Sequence, residues 1–330
     1  MAGEVTGTAR PKVIVTRRLT DAVEAALRER FDVTLPTRDV PATAEELQRA
    51  LGQCDGLLSA VTDRIAAEVL AAYPIRTRII ANFGVGYDNI DIAAAQAHDI
   101  VVTNTPDVLT ESTADLAITL ILMTMRRAGE GEREVRSGRW TGWRPTHLLG
   151  SMVSGKTLGL VGMGRIARAV ARRAHHGFGM RILCYDPLPP SPVELATYGG
   201  EPRATLEQLL AESDVVSVHC PSTPATRGLI NAERLACMRP GAYLVNTARG
   251  DIVDDDALIA ALQSGRLAGA GLDVFRGEPN LDPRYRTLEN VVLLPHLGSA
   301  TRETRDAMGF RALDNLTAFF SGQPVRDRVG

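Results

Sequence analysis

The sequence predicts an α/β protein built on two successive parallel sheets with helices on both faces. Three observations carry this. Short apolar runs alternate with amphipathic helical patterns from residue 13 to residue 105. One long helical pattern, 110–139, then interrupts the rhythm, and the alternation restarts and continues to residue 295. A chain of 330 residues is too long for one ordinary core and suits two domains.

In chain order, VIVT (13–16) is a buried strand, and a helix starts near Asp21 with Thr20 as its N-cap. FDVTL (31–35) is a strand, TAEELQRAL (43–51) a helix, GLLSAV (56–61) a strand and IAAEVLAAY (65–73) a helix. RIIANF (78–83) is a strand, IDIAAAQAHD a short helix and IVVTNT (100–105) a further strand. Residues 1–10, small and polar, are expected to be flexible. The 110–139 segment is apolar first and charged afterwards, and reads as one helix that connects the domains and continues into a subunit contact. Beyond it TLGLVG (157–162), RILCYD (181–186), VVSVHC (215–220), AYLVNT (242–247), AGAGLDVF (268–275) and NVVLLP (290–295) are strands, with helices between most of them. The final helix, ETRDAMGFRALDNLTAFFSG, is expected to return along the surface.

Composition narrows the function classes. With 45% hydrophobic and 23% charged residues, the chain has the make-up of a soluble globular protein. Its net charge is −2 and its basic residues are mixed with acids, so no nucleic-acid partner is expected. The longest apolar run, AITLILMTM from Ala117 to Met125, is half a membrane span and ends at Arg126-Arg127, so no membrane partner is expected either. The opening MAGEVTGTARPK lacks the basic-then-apolar order of a secretory signal. Cys54, Cys184, Cys220 and Cys237 have no metal-ligand spacing, which predicts no metal site and reduced thiols in a cytoplasmic protein.

The strongest local signal is GLVGMGRIARAVARR (159–173). A strand ends at Gly162, Gly164 follows, and a helix opens at Arg165, giving G-x-G-x-x-A with Ala167 in the third position. The first glycine permits the tight turn, the second lets backbone approach a pyrophosphate, and the third position needs only a small side chain for helix–strand packing. The helix N-terminus then offers unpaired N–H groups to phosphate. Asp186, at the end of the next strand, is the expected ribose ligand. This is the pattern of a Rossmann dinucleotide site. A carboxylate at 186 repels a 2′-phosphate, and PLPPSP after it supplies no Arg or Lys, so NAD(H) is favoured over NADP(H).

In an open parallel sheet, ligands bind outside the carboxyl ends of the strands. Three charged residues emerge there. Arg249 follows AYLVNT, Glu278 follows AGAGLDVF in a Gly/Pro loop, and His296 follows NVVLLP in a small-residue loop. Taken singly, Arg249 also reads as a surface charge, Glu278 as a solvated loop acid and His296 as a packed ring. Together they fit one chemistry. Arginine holds a carboxylate and polarises a carbonyl through its planar fork. Histidine titrates near neutrality and can supply the proton that accompanies a hydride. A carboxylate beside it orients the ring and favours the imidazolium.

At these residues the chain resembles the D-isomer-specific 2-hydroxyacid dehydrogenases over nearly its whole length. The matching stretches are NFGVGYDNID (82–91), NTPDVLTESTADLA (104–117), GKTLGLVGMGRIA (155–167), VHCPSTPATRGLI (218–230), NTARGDIVDDDAL (246–258), GLDVFRGEP (271–279) and LPHLGSAT (294–301). The resemblance implies that Arg249, Glu278 and His296 are catalytic, and that the Val85 and Gly86 amides cradle the substrate carboxylate. It implies that Arg165 and Ile166 lie against the pyrophosphate, and that Cys220, Pro221, Thr226, Thr247, Ala248, Asp273 and Ser299 line the cofactor beside His296. It implies a flavodoxin-like substrate domain (1–103 and 298–330) and a Rossmann cofactor domain (104–297) with a cleft between, and a homodimer with 110–139 in its interface.

WTGWRPTHLLG (140–150) is similar to glyoxylate/hydroxypyruvate reductases, where the second tryptophan, here Trp143, reaches toward the partner subunit's site. Those implied substrates are small 2-oxo acids. Some of those enzymes carry Arg or Ser where this chain has Asp186-Pro187, which speaks against NADPH here. Family members that oxidise formate carry glutamine in place of Glu278. Other substrates stay open: D-3-phosphoglycerate, 2-ketogluconate or a bulkier 2-keto acid. So does a co-repressor-like protein that binds NAD without turnover. Of the other histidines, His219 is expected to close a strand beside the cofactor, His175 and His176 to suit a helix C-terminus, and His98 and His147 to lie in loops or on the surface.

Overall fold

The computed structural model describes residues 10–71 and 74–330. Most of the start expected to be flexible, and the last two residues of the helix expected over 65–73, lie outside the described residues. The chain folds as two units. One runs up to Leu109 and resumes at Thr301–Gly330, and the other is Thr110–Ala300.

The first unit holds strands β1 (Lys12–Val15), β2 (Asp32–Thr34), β3 (Gly56–Ala60), β4 (Ile79–Phe83) and β5 (Val101–Thr103), all parallel, in the order 5-4-3-1-2. That is the doubly wound, flavodoxin-like order. Every residue of β4 is buried, as a strand covered on both faces must be. Helices α1 (Asp21–Arg30), α2 (Ala44–Gln53), α3 (Ala67–Ala71) and α4 (Ile92–Ala97) connect the strands. The start of α2 is set by a capping box. Glu46 N–H donates to Thr43 Oγ1 (3.2 Å), and Thr43 N–H donates to the Glu46 carboxylate (2.8 Å).

The second unit opens with α5 (Thr110–Met125) and α6 (Ala128–Arg136). Its sheet is β6 (Thr157–Val161), β7 (Arg181–Tyr185), β8 (Gly200–Pro202), β9 (Val215–Val218), β10 (Ala242–Asn246), β11 (Leu267–Leu272) and β12 (Val291–Leu293). They run parallel in the order 8-7-6-9-10-11-12, the Rossmann order, which reverses between β6 and β9. Helices α7 (Arg165–Phe178), α8 (Pro192–Ala196), α9 (Leu206–Glu212), α10 (Ala232–Cys237) and α11 (Asp255–Gln263) complete it. Two apolar cores result. One joins α5 and α7 through Leu120, Ala167 and Val170, and the other joins α9, α10 and α11 through Leu209, Leu235 and Leu258.

Several expectations need correction. The helix expected over 110–139 breaks at Arg127, which sits at φ 52°. The Met125 carbonyl accepts from Ser151 N–H (2.7 Å) and Arg127 N–H closes back onto Thr124, so the α-helical ladder ends there. The final helix, α12 (Arg302–Phe320), keeps one face exposed at Glu303, Phe310 and Asp314, while Met308, Ala312, Leu313 and Leu316 are buried where it packs on β4 and α1 of the first unit. The tail after it forms β13 (Arg328–Val329), antiparallel to β5, with Arg328 opposite Thr103. Thr20 holds the N-cap position of α1 without capping it: its hydroxyl is buried and unpartnered, and Glu24 takes the Leu19 N–H (3.0 Å) instead. The helix at 65–73 starts only at Ala67, because Ile65 bridges to Ile90. The units divide at 109/110 and 300/301, not at the expected 103/104 and 297/298. Asn104 and Thr105 N–H groups bond to Asp327 and Gly84 in the first unit, and Gly298 N–H bonds to Asp273 in the second.

Candidate active site

The glycine-rich turn stands at the carboxyl end of β6. Gly162 adopts φ +88°, and a Cβ on it would lie 2.7 Å from Cys220 N and 2.9 Å from Cys220 Cα. Only glycine lets the two strand ends come this close. Gly164 is the N-cap of α7, and a Cβ there would meet no atom of the chain within 4 Å. Ala167 is wholly buried, which is why the third position of the pattern must be small. Arg165 is exposed on the first turn of α7, and Ile166 packs on the helix–sheet core.

Asp186, just past β7, accepts from Met163 N–H (2.7 Å) with one carboxylate oxygen and from Leu188 N–H (2.8 Å) with the other. Each oxygen keeps a lone pair for a further donor. Past β9, His219 bonds Ser217 Oγ through Nε2 (2.9 Å), and burial lowers its pKa to about 4. Burial pushes the Cys220 thiol up to about 11, so it stays protonated and inert. Pro221 is exposed, and the Thr226 hydroxyl closes its own loop by donating to Pro221 O (2.6 Å) and accepting from Thr223 N–H (2.8 Å).

Past β10, Asn246 is 1% exposed and folds the loop that presents Arg249. Its Nδ2 donates to Arg249 O (2.8 Å) and its Oδ1 accepts from Ala248 N–H (2.9 Å). The Thr247 hydroxyl is buried with no protein partner, while Ala248 packs at the core margin. A Cβ on Gly250 would lie 2.0 Å from Phe275 C, so glycine is what lets the Arg249 loop press against the loop that leads to Glu278.

Past β11, Asp273 is buried and anchors the histidine loop. Its carboxylate accepts from Leu297 N–H (2.7 Å) and Gly298 N–H (2.9 Å), and its carbonyl accepts from His296 N–H (2.9 Å). Burial raises its pKa above the usual carboxylate value, against the pull of those N–H groups and of the His296 ring. His296 is held at φ 55°. Its Nδ1 pairs with Glu278 Oε2 at 2.8 Å, and Glu278 Oε1 accepts from Phe275 N–H (2.8 Å). Burial pushes the Glu278 carboxyl up, but the His296 hydrogen bond and charge, the Phe275 N–H and the nearby Arg249 charge together hold it below its ordinary value. Glu278 is therefore ionised at neutral pH. With Nδ1 taken by Glu278, Nε2 is the ring nitrogen of His296 left for proton exchange. Ser299, half-buried, follows in the same loop.

Arg249, Glu278 and His296 thus come together at three strand ends of one sheet. Val85 and Gly86 belong to the first unit, in the loop that follows β4. Trp143 is 82% exposed. The structure adds residues that sequence reasoning did not single out: Asn246, which shapes the Arg249 loop, and Asn82 and Asn104, which hold the loop of Val85 and Gly86. The available signal was asparagine at or just past the end of an apolar strand. Asp273, expected to line the cofactor, directs its carboxylate at the Leu297 and Gly298 N–H groups of the histidine loop.

Residues 118–298 match the model of the D-isomer specific 2-hydroxyacid dehydrogenase NAD-binding domain. The chain is 47% identical over 316 residues to a glyoxylate reductase of Korarchaeum cryptofilum, covering 95% of this chain and 94% of that protein. It is 40% identical over 311 residues to a glycerate dehydrogenase of Hyphomicrobium methylovorum, covering 94% and 96%. Among solved structures, an NADPH-dependent glyoxylate/hydroxypyruvate reductase of Sinorhizobium meliloti superposes with a TM-score of 0.85 at 38% identity, over 97% of this chain and 98% of that one. With the glycine turn and the Arg–Glu–His cluster at its strand ends, the chain belongs to the D-isomer specific 2-hydroxyacid dehydrogenase family.

Proposed function

We propose that the protein reduces a small 2-oxo acid, glyoxylate or hydroxypyruvate, to the D-2-hydroxy acid with NADH. The Glu278–His296 pair beside Arg249, on the same sheet end as the glycine turn, carries this reading. The site fits a dinucleotide. A Cβ at Gly164 would meet only open space, and the Thr247 hydroxyl is buried without a partner. Gly162, Gly164, Arg165 and Ile166 would hold the pyrophosphate, Asp186 the ribose, and Cys220, Pro221, Thr226, Thr247, Ala248 and Ser299 the remaining walls. The bound nicotinamide would supply the hydride.

The chain's own residues do the rest. Arg249 and the Val85 and Gly86 amides bind the substrate carboxylate, and Arg249 also polarises the carbonyl. Glu278 fixes the ring of His296 through Nδ1. His296 gives the proton on Nε2 to the carbonyl oxygen as the alkoxide forms. Asp273 keeps the loop of His296 in place.

Asp186 favours NADH, because a second anion beside it would be repelled. The Sinorhizobium relative uses NADPH, so this residue is the decisive one to test. The segment 110–139 and the exposed Val135, Trp140, Trp143, Leu149 and Met152 suit a homodimer interface, in which Trp143 would reach the partner's site. The four free thiols suit a cytoplasmic enzyme. Among the described residues no helix is long and apolar enough to cross a membrane.

The test is a panel of 2-oxo acids assayed with NADH and NADPH in parallel. Glyoxylate and hydroxypyruvate should consume NADH fastest. No consumption with any 2-oxo acid would overturn the reading in favour of an NAD-binding protein without turnover.

A further inference from the structure

The loop after β4 has three peptide planes, each pinned by its carbonyl. Gly84 O accepts from Thr105 N–H (3.0 Å), Val85 O from Asn104 Nδ2 (2.8 Å) and Gly86 O from Asn82 Nδ2 (2.8 Å). In a trans peptide the C=O and the following N–H point in opposite directions. Anchoring the carbonyls of Gly84 and Val85 inward therefore turns the N–H groups of Val85 and Gly86 outward. Among the described residues, neither N–H donates to a group of the chain.

Asn82 is fully buried, and its amide has only one workable orientation. Asn89 Nδ2 faces Ala60 O (3.2 Å) and Asp63 O (3.0 Å), which can only accept. The same nitrogen reaches Asn82 Oδ1 (3.3 Å), so the Asn82 nitrogen must face Gly86. It also lies 3.5 Å from Gly84 O and so spans both ends of the loop. Gly84 lies close against Val61: a Cβ on it would lie 2.3 Å from Val61 Cγ1.

We infer that Asn104 and Asn82 are positioning residues: Asn104, through the Val85 carbonyl, aims the Gly86 amide at the substrate carboxylate, and Asn82, through the Gly86 carbonyl and Asn89, fixes the end of the loop that carries it. The inference rests on the reaction proposed above. Asn82→Asp keeps the shape and replaces the donor facing the Gly86 carbonyl by an acceptor, which repels it. The expected result is a KM for glyoxylate and an inhibition constant for oxamate, a carboxylate with no reducible keto group, that rise together by about tenfold or more. The KM for NADH should stay near the wild-type value even though the buried carboxylate lowers the melting temperature, whereas a general loosening of the fold would move both constants. Values for glyoxylate and oxamate within about twofold of wild type would overturn the inference. So would a loss of NADH binding in step with theirs. If Asn82→Asp does not fold, Asn104→Asp carries the same reading and the same thresholds. Wild-type protein that reduces no 2-oxo acid would refute the proposed reaction. Oxamate binding measured by calorimetry on wild type and variant would then still decide the cradle.

Discussion

Replacing Gly162 and Gly164 by alanine, one at a time, separates what the glycine turn does for the fold from what it does for the cofactor. At Gly162 the backbone sits at φ +88°, which costs an alanine about 1–2 kcal/mol. The added Cβ would stand 2.7 Å from Cys220 N and 3.0 Å from His219 C. Both are backbone atoms at a strand end, so the strands must part, at an overpacking cost of about 1–3 kcal/mol. The sum, about 2–5 kcal/mol, lowers the melting temperature of a unit this size by roughly 5–15 °C. Gly164 differs: its φ is −68° and a Cβ there meets nothing within 4 Å. Gly164→Ala should lose only about 1 kcal/mol, for a poorer N-cap. Its Cβ would nevertheless occupy the space assigned to the pyrophosphate, so NADH affinity should fall by about tenfold or more, a change of ~1.4 kcal/mol. Scanning calorimetry and NADH fluorescence titration read the two effects. A Gly162→Ala protein that melts like wild type would refute the close-approach argument. A Gly164→Ala protein that binds NADH like wild type would refute the placement of the cofactor.

Other outcomes follow from the same geometry. His296→Ala should lower kcat by about 100-fold or more while NADH affinity holds, and a variant that keeps most of its kcat would remove the proton-donor role. Arg249→Ala should raise KM and lower kcat together; an unchanged KM for the 2-oxo acid would count against the clamp. Asp186→Ser should shift the ratio of kcat/KM for NADPH over NADH upward by about tenfold or more, and an unmoved ratio would show that cofactor choice lies elsewhere. His219 ties stability to pH, since its folded pKa of about 4 lies below the ordinary 6.5. As pH falls through that window the unfolded chain takes up a proton that the folded chain refuses, and stability drops by at most about 3 kcal/mol. His219→Gln should flatten the decline of melting temperature over this range; an identical decline would assign it to other groups.

Much of the site was legible because strand ends are legible. An apolar run that stops at a charged residue marks a position, and the parallel order puts all such positions on one side. That is why Arg249, Glu278 and His296 group together in the sequence alone. The residues that hold them were not legible. Asn246 in the Arg249 loop, and Asn82 and Asn104 in the loop of Val85 and Gly86, act through hydrogen bonds to backbone that is chosen by the loop's path, and no periodicity encodes a loop's path. The break at Arg127 escaped for the same reason, since the group that captures the Met125 carbonyl is Ser151, far along the chain.

By itself the sequence determined the two sheets, the dinucleotide turn and the three charged strand ends, because apolar periodicity and glycine placement are local properties. Only the tertiary structure decided that Glu278 meets Nδ1 of His296, that Gly250 brings the Arg249 loop against Phe275, and that the tail closes the first sheet as β13. Each of these depends on residues distant in sequence meeting at hydrogen-bonding or van der Waals distance, and that is set by packing, which favours one arrangement of the whole chain at once.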